Sequence, residues 1–284
     1  MKKIIYYTSV ILILLSLFIS CDYVKNVKDP NAPKINGSRK VLIEDYTGHK
    51  CGNCPAAADT LKYLEKKYPG KIIPLAIHAG FFATTNVAYP TNFQTTAGTA
   101  YDSQFGNSAA GNPNGLVNRV GYGTGGFIKA YTSWETELVQ MLNTSAKFEI
   151  KIRNTFASAT NNLNTSITVK SLSNNSGTYK LVVLLTEDSI IAEQLDYRKP
   201  TGSQFISNYE FNHVLRGAIN NTWGDPIFGI GAVANDSIVK SYNNYTLNSL
   251  YKPSKCHVIA YIYNADAASP TFYEVLQAEE EKVK

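Results

Sequence analysis

Apolar positions along the chain follow two periods, and the change falls near Ser145. Upstream of it, short apolar runs alternate with stripes at helical spacing. Downstream, apolar and polar residues alternate one by one, as strands require. Val41-Leu42-Ile43 opens a buried strand reaching about Tyr46, and Thr47-Gly48-His49-Lys50 is a turn into Cys51-Gly52-Asn53-Cys54. The helix that follows has the apolar face Ala57, Leu61, Leu64 and Tyr68. Pro55 suits its first turn, and Pro69-Gly70 stops it. Residues 71–78 form a second strand, which Pro74 assigns to a sheet edge because it cannot donate to a ladder. Residues 79–111 show no clear period and read as an inserted helix or loop. A third strand spans 115–120, and the glycine-rich turn 121–126 follows it. A helix then begins near Thr132, with Thr132 and Glu135 spaced as a capping box. Its buried stripe is Trp134, Leu138, Met141 and Leu142.

After Ser145, strands are expected at 147–153, 165–171, 178–186, 210–218, 237–242, 245–250, 256–263 and 271–277. Turns rich in Asn, Ser, Gly and Pro separate them. Many short strands without a credible helix suggest an antiparallel β-sandwich, immunoglobulin-like in class. The expected organisation is therefore an α/β domain at 40–145 and an all-β sandwich at 146–284.

The first 39 residues have a different texture. Met1-Lys2-Lys3 precedes an apolar run over 4–19 that is shorter than the ~20 residues of a spanning helix. Residues 1–20 read as a signal peptide, and Ser20-Cys21 resembles a lipobox. In that reading the mature chain starts at Cys21, whose sulfur takes a diacylglycerol and anchors the protein to a lipid bilayer. The alternative is an ordinary secretory signal with an incidental cysteine. Residues 21–39 form the lipidated cysteine and a flexible tether. The net charge of +5 includes both leader lysines, too mild a balance to argue for nucleic acid. Export also exposes the four cysteines to an oxidising compartment, where Cys51 and Cys54 can form a disulfide.

A CxxC between a strand and a helix places free backbone N–H groups and the helix dipole beside a thiolate. Cys51 reads as the nucleophile at the helix N-terminus. Cys54, one turn on, is the resolving thiol. His49 and Lys50 either lower the Cys51 pKa or are plain turn residues. His78 ends the second strand on the same rim, as a site residue or a structural histidine. Half a zinc site would look the same, but the second half is missing. Cys256 and His257 are adjacent on a strand and point to opposite faces. Neither a metal nor a cofactor is expected, and Cys256 reads as a buried core thiol.

The arrangement resembles thioredoxin. That resemblance implies that an acidic residue, Asp45 or its neighbour Glu44, lies beneath the CxxC and handles the proton of the buried thiol. It also implies that Pro113 is the cis proline facing the cysteines; the alternative is an ordinary trans proline in a loop. Longer stretches resemble a known family, the outer-membrane-protein-28-related lipoproteins of Gram-negative bacteria. They are the run from Val41 to Pro55, Ile77-His78-Ala79-Gly80, the segment 113–119, Leu184-Leu185-Thr186-Glu187-Asp188 and His213-Val214-Leu215-Arg216. Where the family has Pro-Thr-Gly this chain has Pro113-Asn114-Gly115. The resemblance implies a thioredoxin-like N-terminal domain, a C-terminal β-sandwich and an outer-membrane address, facing periplasm or exterior. Two functions follow. One is a thiol–disulfide oxidoreductase acting on exported cysteine-containing proteins, and the other is a surface binding or adhesion lipoprotein with a structural disulfide.

Overall fold

The computed structural model describes residues 39–121 and 126–284. The signal peptide, Cys21, the tether up to residue 38 and most of the glycine-rich turn lie outside the described residues. Among the described residues no helix is long and apolar enough to cross a membrane.

Strand β1 (Val41–Thr47) is buried along its whole length because its two faces serve two cores. Val41 and Ile43 pack with helix α1 (Cys54–Lys67), while Leu42 and Tyr46 face a second apolar cluster. The expected stripe of α1, Ala57, Leu61, Leu64 and Tyr68, is buried. Each leucine there contributes about 1.5–3 kcal/mol of burial. Lys66 and Lys67 in the last turn complement the helix dipole.

Strand β2 (Ile72–His78) runs parallel to β1, and β3 (Asn114–Val117) lies antiparallel on its other side. Between them the unpatterned stretch holds a 3-10 turn (Phe81–Ala83) and helices α2 (Thr96–Phe105) and α3 (Asn107–Ala110). Helix α4 (Trp134–Leu142) buries Trp134, Leu138 and Leu142, with Met141 only partly covered. The capping box expected from Thr132 and Glu135 does not form. A 3-10 turn (Tyr131–Ser133) precedes the helix, and Glu135 is drawn to α1 instead. There it accepts from the Tyr68 hydroxyl at 2.7 Å and pairs with Lys67 at 2.7 Å.

The remaining strands are β4 (Phe148–Ala157), β5 (Asn162–Ser171), β6 (Tyr179–Glu187), β7 (Ile190–Leu195) and β8 (Phe205–Phe211). They continue as β9 (Val214–Ala218), β10 (Asp225–Ile227), β11 (Ser237–Thr246), β12 (Cys256–Asn264) and β13 (Val275–Lys282). Strands β11, β5 and β4 form one sheet. Among the described residues an eight-stranded mixed sheet runs β13-β12-β6-β9-β2-β1-β3, with β10 on β6, and β7 and β8 pair only with each other. The strand expected at 210–218 is thus two strands, parted by a turn at His213 (φ 58). Those expected at 237–242 and 245–250 are one, with a bulge between Tyr242 and Tyr245.

The fold is mostly β. The three-stranded sheet lies across a core of Phe148, Ile167 and Val169 from Val183, Val258 and Ile262 of the larger one. Residues 40–145 and 146–284 nevertheless contribute strands to the same sheet, since β2 meets β9 at Ala76–Val214. The edge position expected for β2 is therefore incorrect. The Ala76 N–H donates to the His213 carbonyl at 2.8 Å. Pro74, two residues earlier, turns its nitrogen to the same side, where β9 has not yet begun. A proline is tolerated in an interior strand when its missing donor faces such a gap.

Candidate functional site

Cys51 and Cys54 form a disulfide. Helix α1 starts at Cys54 with Asn53 at its N-cap, so Cys51 lies in the turn before the helix, not at its first residue. That turn is closed by Cys51 N–H donating to Gly48 O at 2.9 Å and Cys54 N–H donating to Cys51 O at 3.2 Å. Gly48 has no room for a side chain, because a Cβ would lie 2.4 Å from the Phe82 backbone.

Alternation along β1 decides between the two acids. Glu44 faces away from α1 and is clamped by Arg119. Asp45 points to the α1 side and lines a cleft of about 510 Å³ with Cys54, Glu65, His78, Gln194 and His213. Burial pushes its carboxyl up to about 7, against a lowering by His213, and Oδ1 has no hydrogen-bond partner among the described residues. His78 is pushed down to about 3 by burial, with His49 and Arg216 adding to it. It is a neutral ring wedged against Phe93 (4.7 Å) and Phe211 (5.5 Å), and neither nitrogen has a partner among the described residues.

The expected rim is more occupied than a plain turn. His49 is buried, stacked on Tyr89 at 5.3 Å, with Nε2 3.1 Å from the Thr84 carbonyl. Burial lowers its pKa. The Lys50 ammonium lies over Phe81 at 4.6 Å and bonds the Thr84 hydroxyl. The Asn112–Pro113 peptide bond is cis. Pro113 leads into Asn114, which pairs with Tyr46 near the end of β1 that turns toward Cys51.

A covering element escapes any reading of the sequence. The hairpin β7–β8 lies over the CxxC turn: Leu195 N–H donates to His49 O and Tyr197 N–H to Gly52 O, both at 2.8 Å. Gln194 Nε2 donates to Cys51 O at 3.0 Å. Both cysteines are only 2% exposed as a result. The segments 184–188 and 213–216 meet beside the hairpin's ends. Arg216 Nε donates to Glu187 at 2.8 Å, and the His213 N–H donates to Asp188 at 2.7 Å. His213 also reaches Glu65 of α1 at 3.2 Å. The one local signal was a break in alternation, Asn212-His213 between Phe211 and Val214-Leu215, which a reading of 210–218 as one strand passes over.

Among the described residues no group of three or more His, Cys, Asp or Glu is placed to hold a metal ion. Cys256 is a free, buried thiol pushed up to about 12 by burial, with Glu187 adding to the shift. It is expected to resist iodoacetamide at pH 8 in the folded protein and to label fully after denaturation, by intact mass. Labelling of the native protein at a free-thiol rate would refute the inert assignment.

A family model described as outer membrane protein Omp28 matches residues 98–284. The match leaves the CxxC segment outside it. None of the curated proteins matches the chain. Among solved structures, HBP35 of Porphyromonas gingivalis shares the fold at TM-score 0.60 and 14% identity, covering 87% of this chain and 76% of its own. A protein of Agrobacterium tumefaciens aligns at TM-score 0.49 and 14% identity, over 87% of this chain and 95% of that one.

Proposed function

Because the chain belongs to the outer membrane protein Omp28 family, we propose that it works in the cell envelope as a lipoprotein anchored through Cys21, with a thioredoxin-like thiol–disulfide oxidoreductase at Cys51 and Cys54. Family membership implies the outer-membrane or envelope location. One observation carries the chemistry: a disulfide between a strand and a helix shares its cleft with a buried carboxyl of pKa about 7. The strand arrangement, with β2 parallel and β3 antiparallel to β1, supports the thioredoxin-like reading.

In this reading the partner is an exported protein with two cysteines. A partner thiolate attacks Cys51 Sγ, the Cys51–Cys54 bond breaks, and its electron pair leaves on Cys54 Sγ. Asp45, half protonated near neutral pH, supplies the proton to that sulfur. The second partner thiolate attacks the mixed disulfide, closes the partner's own disulfide and releases Cys51 as thiolate. Two electrons thus pass from the partner dithiol to the CxxC pair, and the reverse sequence reduces a partner.

The test is covalent trapping in native envelopes. Cys54→Ser is expected to hold partners through Cys51 that reductant releases, while Cys51→Ser holds none. A second reading, a binding lipoprotein with a static disulfide, is favoured by the sealed state of both cysteines. It takes over if Cys54→Ser traps nothing and the wild-type pair has a potential below roughly −300 mV.

A further inference from the structure

We propose that the hairpin β7–β8 is a built-in flap that occupies the docking place of a partner strand and must lift before Cys51 exchanges. The partner chemistry this implies is an extended, cysteine-bearing polypeptide segment. That half of the proposal rests on the oxidoreductase reading; the gating half does not.

Four observations converge on the flap. First, its contact with the CxxC turn is made by backbone: the N–H groups of Leu195, the last residue of β7, and of Tyr197, in the turn that follows it, donate to His49 O and Gly52 O. Backbone donors make no demand on side chains, so a segment of another polypeptide can offer the same two hydrogen bonds to the CxxC turn. Second, the Tyr197 ring lies directly on Gly52, where a Cβ would approach it to 2.4 Å. The flap therefore sits as close to the active turn as a glycine permits.

Third, the hairpin is built to move as a unit. Among the described residues its strands pair only with each other, and non-glycine residues in the left-handed region flank it, Ser189 at φ 55 and His213 at φ 58. Such positions serve as hinges, where a few residues absorb a change of φ and ψ. Fourth, its tip is held by polar contacts that can be exchanged for water. Arg198 reaches Asp59 of α1 at 2.6 Å and Asp196 at 2.8 Å, and its side chain is nearly half exposed. Tyr197 and Phe205 are about half exposed at the same tip, with Phe205 edge-on to Tyr89 at 5.4 Å. The apolar anchorage lies at the base, where Ala192 and Phe211 pack with Phe93 and Val214. A flap with its buried apolar anchorage at the base and half-exposed contacts at its tip opens from the tip, over the disulfide.

The experiment measures the rate at which dithiothreitol reduces the disulfide in the full chain, followed by thiol labelling and mass. Gln194→Ala with Arg198→Ala removes the contact to Cys51 O and the tip pairing. This double variant is expected to be reduced about tenfold faster than wild type, as local opening becomes easier, with an unchanged urea midpoint. Tyr197→Ala, which removes only the ring over Gly52, is the second variant if the double variant loses global stability. Reduction at the wild-type rate in both overturns the gate. The partner half is read with a synthetic peptide of residues 190–198 carrying Gln194→Cys as its glutathione mixed disulfide. The reduced double variant should exchange with it about tenfold faster than reduced wild type. Faster reduction without any peptide exchange keeps the gate and overturns the partner half together with the oxidoreductase reading.

Discussion

Arg119→Ala is expected to remove about 3–5 kcal/mol of stability, the cost of leaving a buried carboxylate without its partner. Arg119 and Glu44 both have fully buried side chains. The guanidinium donates through Nε to Glu44 Oε2 at 2.8 Å and through Nη2 to Oε1 at 2.7 Å. Its plane lies 4.6 Å from the Tyr101 ring and 5.1 Å from those of Phe105 and Tyr261. Lysine offers neither the fork nor the planar stacking face, so Arg119→Lys should fall nearly as far as alanine. Glu44→Met with Arg119→Met should recover most of the loss, because the pair's net worth is near zero against apolar side chains. Urea unfolding of the single and double variants gives the coupling directly. Additive losses in the double variant would refute this account.

The second large effect belongs to Asp45→Asn and carries a pH signature. The folded protein holds the Asp45 proton up to about pH 7, while the unfolded chain releases it near pH 4. Between those values the folded state binds more protons, so stability falls as pH rises and then levels off. Asparagine lacks that liability. The variant is expected to match wild type at pH 4 and to exceed it by about 2–4 kcal/mol at pH 8. Urea unfolding of the oxidised proteins at both values is the check. A difference independent of pH would mean that the carboxyl is not the cause.

The elements that position the disulfide were legible because they are local. The stripe from Ala57 to Tyr68 predicts α1, and the run from Val41 predicts β1. The choice between Glu44 and Asp45 was not local. Alternation says that one acid faces each side, but packing of Val41 and Ile43 on α1 decides which. Pro74 misled in a similar way, since its cost depends on whether a neighbour strand runs past its nitrogen. Glu135 had the spacing of a cap, yet Lys67 at the end of α1 and Tyr68 just after it offered better partners. The hairpin was least legible of all. His213 turns the chain on a single left-handed residue without glycine or proline beside it, so β8 and β9 read as one strand.

The bridge between Ala76 and Val214 has a consequence for how such a protein can be rearranged. A segment cut at residue 145 would carry β2 with a bare edge, and unpaired strand edges invite association with other chains. The disulfide-bearing part is thus not an interchangeable cassette. Insertions, fusions or recombination at that point would have to supply a replacement for β9. The sheet's continuity ties the inheritance of the sulfur chemistry to that of the strands around it.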